Sequence, residues 1–124
     1  QAEVELTLPG GYDKLFDHIL VHQYFMGQQN QREIALDEAV ISWHDHVYYP
    51  LIQVIRENKI LHEFPSRTEA DLYLWIIEHQ YFLRQDFNRD VSLEESAGHF
   101  TNQFSERSRG WWKRIRNWFA PKKK

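Results

Sequence analysis

One feature narrows the folds open to this chain more than any other: the sequence repeats itself. Sliding it by 57 residues without gaps lays residues 15–43 on 72–100, and ten of those 29 positions are identical. They are Leu15/Leu72, Ile19/Ile76, His22/His79, Gln23/Gln80, Tyr24/Tyr81, Phe25/Phe82, Gln28/Gln85, Arg32/Arg89, Leu36/Leu93 and Glu38/Glu95. Phe16/Tyr73, Met26/Leu83, Ile34/Val91 and Trp43/Phe100 are conservative pairs. The run His-Gln-Tyr-Phe, at 22–25 and again at 79–82, is the most specific part. Two copies are too few for an open solenoid, whose repeats need several stacked neighbours. A closed arrangement with pseudo-two-fold symmetry covers both apolar faces better.

Each copy reads as helix, polar loop, helix. Tyr12, Leu15, Phe16, Ile19, Gln23 and Met26 recur at spacings of three and four, the stripe of an amphipathic helix. Leu72, Ile76, Gln80 and Leu83 mark the same stripe in copy two, where Leu74, Trp75 and Ile77 widen it to more than one buried side. Residues 27–32 and 84–89, rich in Gln, Asn and Arg, are the expected loops. Ser92 and Glu95 fit a capping box, whereas copy one has Ala35 at that position, a start weaker by about 1 kcal/mol unless Asp37 compensates. Val40, Trp43, Val47, Leu51 and Val54 form a further seam, and Pro50 predicts a kink near residues 48–49 because proline lacks a donor and crowds the preceding turn. Ser66 with Glu69, or Thr68 with Asp71, caps the next helix. Val4, Leu6 and Leu8 alternate with polar residues as a lone strand would. Such a strand cannot form a sheet, so it packs as an arm or pairs outside the chain.

The expected fold is therefore all-α: two tandem helical hairpins, a short amphipathic C-terminal helix and an extended N-terminal arm. The domain plan is an arm (1–11), a duplicated helical domain (12–105, with repeats 12–57 and 69–105) and a basic aromatic tail (106–124). Hydrophobic residues make up 42% of the 124, enough for a core. The absence of cysteine excludes disulfide scaffolds and cysteine-ligated metal sites. The longest apolar run, residues 72–77, falls far short of the ~20 needed to span a bilayer. No secretory signal is visible, although the chain opens on Gln1. The expected location is cytoplasmic, with a peripheral association with a membrane or a nucleic-acid complex left open.

Charge is divided unevenly. Residues 106–124 hold eight Lys/Arg against Glu106 alone, a net of +7. Residues 1–105 keep seven basic and seventeen acidic groups, a net of −10. An acidic body with a basic arm seeks an anionic surface. In the arm, Trp111, Trp112, Ile115, Trp118 and Phe119 share one face of a helix, with Lys113, Arg114, Arg116 and Asn117 opposite and Lys122, Lys123 and Lys124 beyond. Such a face folds back on the body, lies on an anionic membrane, or enters a partner's groove or a nucleic-acid backbone.

Chemistry has few candidates. His18 and His22 share a helix face at a spacing compatible with zinc or nickel, but the repeat partner of His18 is Trp75, so no symmetric ligand set exists. His22 and His79, Gln23 and Gln80, and Arg32 and Arg89 are the polar residues kept by both copies. Each histidine is expected to bond free carbonyls late in its helix, Gln and Arg to tie down the loop, and Tyr24-Phe25 and Tyr81-Phe82 to anchor the core. No cofactor is expected, and no glycine-rich phosphate loop or G-x-S-x-G elbow is present.

The string Phe64-Pro65-Ser66-Arg67-Thr68-Glu69-Ala70-Asp71-Leu72-Tyr73-Leu74-Trp75 carries a resemblance, together with Tyr12, His18-Ile19, His22-Gln23-Tyr24-Phe25, Glu38-Ala39-Val40 and Trp43. Over residues 4–105 the chain resembles a helical region of uncharacterised bacterial proteins that follows a ParB-like domain, and a related segment of a domain of unknown function. The resemblance implies a regulatory or DNA-linked context and supplies no catalytic residues. The functional expectation is a non-catalytic interaction or scaffold module whose tail, residues 107–124, docks on an acidic protein partner or anionic surface. Self-association, nucleic acid and a peripheral membrane surface are the other partners consistent with that tail. The alternatives are a DNA-associated accessory domain of a ParB-like regulator and a metal-dependent enzyme built on His18 and His22.

Overall fold

The computed structural model describes residues 4–105. Those residues are all-helical, with no strand among them. Helix α1 spans Gly11–Asn30, α2 Leu36–Trp43, α3 Tyr49–Glu57, α4 Glu69–Phe87 and α5 Leu93–Phe104. A π-helical turn, His44–Tyr48, joins α2 to α3, and a 3-10 turn, Ile60–Glu63, follows α3. α1 packs on α2 and on α4, α4 packs on α5, and α3 lies against both α4 and α5. The expected tail helix falls on residues 106–124, outside the described residues.

The helices outrun the boundaries expected from composition. Residues 27–30 and 84–87 are helical rather than loop, since Gln, Asn and Arg disfavour helix only slightly. What stops the chain is a single left-handed residue in each copy, Gln31 (φ 53°) and Asn88 (φ 55°). The true loops are then the four to five residues that follow. Gln31 N–H and Arg32 N–H both return to the Gly27 carbonyl, closing the end of α1.

Capping follows side-chain chemistry. Thr68 and Asp71 make a full capping box on α4, and Ser92 accepts from Glu95 N–H at 3.0 Å on α5. Glu95 does not complete its own box, because its carboxylate is held by Arg89 instead. Ala35 gives α2 no side-chain cap.

Pro50 is absorbed rather than allowed to break the rod. The turn before it is widened so that Tyr49 N–H reaches the His44 carbonyl, five residues back, and the helical path continues into α3. The alternating segment at the N-terminus is an extended arm. Thr7 N–H (2.8 Å) and its hydroxyl (2.6 Å) donate to Asp71, and Thr68 donates its hydroxyl to the Glu5 carbonyl.

The core is built around α3 and α4. Leu51, Ile52, Ile55, Phe64, Leu72, Tyr73, Leu74 and Ile76 are fully buried. Tyr73 is the hub: Trp43 Nε1–H donates to its oxygen at 3.0 Å, and the Tyr48 and Trp43 rings lie 5.1 and 5.7 Å away, centroid to centroid. A second aromatic group joins Phe100 to Phe64 and Trp75. α1 buries less. Leu15 and Ile19 are inside, but Tyr12 and Phe16, expected on the same stripe, are exposed. The contacts of α1 with α4 run through Gly11, Lys14 and His18, on another side of the helix.

Candidate interaction surface

In both copies the run His-Gln-Tyr-Phe divides between two faces of its helix, because each step along a helix turns ~100°. Gln23 donates its amide to the Ile34 carbonyl, and Gln80 does so to the Val91 carbonyl, both at 2.7 Å. Arg32 forks on Glu38 and Arg89 on Glu95, with closest N–O distances of 2.7 and 2.8 Å. The four residues thus pin the loop that follows each long helix. Exposed on both sides, these ion pairs add specificity more than energy.

The histidines do not bond free carbonyls as their place in the sequence predicts. Each lies two turns before its helix ends and reaches across to the next helix: His22 Nε2 to Ser42 Oγ at 2.9 Å, and His79 Nε2 to His99 Nδ1 at 2.9 Å. Burial lowers the pKa of both, and the neighbouring imidazoles, His46 and His99, add to the effect. His18 points elsewhere. Its Nδ1 lies 3.1 Å from the Tyr73 hydroxyl, and burial lowers its pKa despite the opposing carboxylates of Glu78 and Asp17. With Trp43 donating to the same oxygen, the phenol hydrogen is left for a neutral His18 ring.

Tyr24, Phe25, Tyr81 and Phe82 reverse the expectation of core anchors, being between 58% and 68% exposed. In copy one Tyr24 stands beside the loop, lining a concavity with Arg32, Glu33 and Ile34, and Phe25, about 100° further round, stands beside α2 and α4. On α1 Tyr24 continues the exposed row of Tyr12, Phe16 and Leu20, while Val21 and Phe25 form a second exposed row, and Val40 and Ile41 are exposed on α2. Val21 and Phe25 also flank an open groove of about 290 Å³ whose floor is Trp43, Tyr73 and Ile77. Phe82 lines a second concavity of about 560 Å³ with Phe87 and Phe104.

Reactive groups on these faces are sparse. Among the described residues no cluster of three His, Asp or Glu side chains could hold a metal ion. His18 and His22, though on one face, are engaged by separate partners. Ser42 Oγ lies between His22 and His46, the latter at 3.4 Å. That pairing was not legible in the sequence, since the residues lie on two helices. Among the described residues no carboxylate hydrogen-bonds to His22, as the orienting member of a catalytic triad would, and copy two puts His99 in place of Ser42. No helix among the described residues is long and apolar enough to cross a membrane. The tail residues of the expected binding surface, Trp111 to Lys124, lie outside the described residues.

No family model matches the chain, and no curated protein or solved structure matches it.

Proposed function

We propose that the chain is a non-catalytic helical interaction module, made of two tandem copies of a helical hairpin and carrying a basic aromatic arm that docks on an acidic partner. The observation that carries the reading is the outward placement of the aromatic pair that both copies keep. Apolar side chains on a surface are ordinary when scattered, but a contiguous band along one helix marks an interaction site. The charge split supports the same reading, a +7 segment following a −10 body.

The duplication is supported by hydrogen bonds at equal register: Gln23 and Gln80, Arg32 and Arg89, and His22 and His79 each repeat their role 57 residues on. Of the two ways to stack such a pair, the contacts favour a tandem stack over a closed two-fold one. A two-fold would mirror the Trp43–Tyr73 contact with Phe100 on Phe16. Phe100 instead packs on Phe64 and Trp75, and Phe16 is exposed.

The test is a titration of the full chain, and of the chain ending at Glu106, against poly-glutamate, phosphatidylglycerol vesicles and duplex DNA at 50 and 300 mM salt. The reading requires poly-glutamate binding by the full chain that weakens steeply with salt and is lost on truncation. Equal binding by the truncated chain refutes it. A preference for duplex DNA transfers the arm to the DNA-associated reading expected of a ParB-like context, and a preference for vesicles to a peripheral membrane one.

A further inference from the structure

The first copy has an exposed row, touched at Tyr12 by the N-terminal arm, whose Leu6 N–H donates to the Tyr12 hydroxyl at 3.1 Å, and its counterpart in the second copy is covered. On α4, the residues Glu69, Tyr73 and Ile77 stand four apart on one edge of the helix, and copy one docks on that edge. Arg56 forks on Glu69 at 2.8 and 2.9 Å, the Trp43 and Tyr48 rings cover Tyr73, and Ile77 shares a wall with Trp43 and Val47. Tyr73 is 0% exposed. At the same register α1 carries Tyr12, Phe16 and Leu20, which are 56%, 46% and 39% exposed. The neighbouring helix repeats the contrast: Ala97 on α5 is buried, while its counterpart on α2, Val40, is exposed.

The same offset names an occupant. Of the groups that cover the α4 row, Trp43 ends α2, and Val47, Tyr48 and Arg56 come from the turn and helix that follow; their counterparts 57 residues on are Phe100, Phe104, Ser105 and Lys113. Continued by 57 residues, the α3 range 49–57 becomes 106–114. In sequence Trp111 and Trp112 then correspond to the buried Val54 and Ile55, Lys113 to Arg56 and Trp118 to Leu61, while Ser108 and Arg109 fall at the buried Leu51 and Ile52. Charge agrees with this assignment. Asp13 and Asp17 are exposed, each one residue beyond a member of the α1 row, and residues 11–45 hold six acidic groups against Lys14 and Arg32.

Geometry favours a different molecule as the host. α5 ends with Ser105 donating its hydroxyl to Glu63 at 2.6 Å, beside the 60–63 turn, whereas α1 packs on α2 and α4. The described chain therefore ends beside the 60–63 turn, and α5 is not one of the helices on which α1 chiefly packs.

We propose that residues 106–119 of one molecule dock on the Tyr12/Phe16/Leu20 row of a second copy, repeating between molecules the contact that copy one makes with copy two. This rests on the interaction-module reading and supplies its acidic partner. The two surfaces differ, so the contact is heterologous and builds head-to-tail rings or chains.

Sedimentation equilibrium of the full chain between 1 and 100 μM tests it. The expected result is concentration-dependent association that weakens between 50 and 500 mM salt. The Phe16→Asp variant removes the face and Trp111→Ala/Trp112→Ala removes the arm, each weakening association by about 30-fold or more. A 1:1 mixture of the two, each retaining one good surface, gives a dimer that grows no further. Leu20→Asp, also at an exposed site, repeats the face test should Phe16→Asp unfold. A full chain that stays monomeric at 100 μM, as it would if the arm folded onto its own body, overturns the proposal, as does association that Phe16→Asp and Leu20→Asp leave intact. Poly-glutamate binding separates the two readings: if the full chain binds poly-glutamate in a salt-dependent way yet stays monomeric at 100 μM, the module stands and the homotypic contact falls.

Discussion

Asp71 offers the sharpest test of how the N-terminal arm is held. Its side chain is 0% exposed, and four donors converge on its two oxygens: Thr7 N–H at 2.8 Å, Thr7 Oγ–H at 2.6 Å, Thr68 N–H at 3.0 Å and Leu8 N–H at 3.4 Å. Asp71→Asn keeps the shape but turns one acceptor into a donor. Whichever way the amide lies, at least one backbone N–H then faces an N–H, and the charge that strengthened the remaining bonds is gone. Losing charge-assisted bonds worth ~1.5–3 kcal/mol each and stranding a buried donor should cost about 3 kcal/mol, and at roughly 4 °C per kcal/mol the melting temperature should fall by about 12 °C. Burial by itself pushes this carboxyl's pKa up, but the bonds from Thr7, Thr68 and Leu8 outweigh it and hold the pKa below the usual value. The lowered folded pKa means the contribution is complete above the unfolded pKa and is lost as pH falls through the folded one. Chemical denaturation from pH 7 to pH 2 should therefore show a steep acid loss in the parent and a shallower one in Asp71→Asn. Amide exchange at Thr7 and Leu8 should rise in the variant at neutral pH. A loss under about 1 kcal/mol, or unchanged exchange in the arm, would refute the reasoning. Asp90→Asn, whose side chain is 94% exposed on Arg84, should change stability by no more than about 0.5 kcal/mol and serves as the control.

Two further outcomes follow from the buried polar groups. Tyr73→Phe leaves Trp43 Nε1–H without its acceptor in the core and should destabilise by about 2 kcal/mol, read by urea denaturation, with no change in helix content by circular dichroism. His18, His22 and His79 all have pKa values lowered in the fold, chiefly by burial, so stability should be at its full value above their ordinary 6.5 and fall as pH drops from there through the lowered folded values. His79→Gln should flatten the part of that slope between pH 7 and 5, and an unchanged slope would count against burial as the cause.

The all-helical class was legible because leucine and isoleucine spacing is a packing requirement that the sequence states directly. Thr68 and Ser92 were legible for a similar reason, since a cap depends on side chains three residues apart. The helix ends were less so: Asn88 is a residue that takes the left-handed conformation readily, but Gln31 is not, and nothing local marks the end of α1. Exposure was misjudged wherever it depended on which neighbour arrives. Phe16 and Tyr73 occupy the same register of the same motif, and only the presence of Trp43 and Tyr48 over one of them decides that it is core. For the same reason Tyr24 and Tyr81 read as anchors when they are surface. The Ser42 contact with His22 joins residues twenty apart on separate helices, and no local spacing encodes it.

The widened turn ahead of Pro50 sets the direction in which everything after it faces. In an uninterrupted α-helix the four buried residues of α3, at 51, 52, 54 and 55, would be centred about 100° around the axis from Trp43. One extra residue taken up between His44 and Tyr48 turns them back by about that amount, so Trp43 and the apolar side of α3 look the same way. The proline thus leaves the rod intact and sets its phase. Removing one residue inside the turn would keep that alignment, whereas removing one between the turn and Leu51 would swing the four side chains off the core.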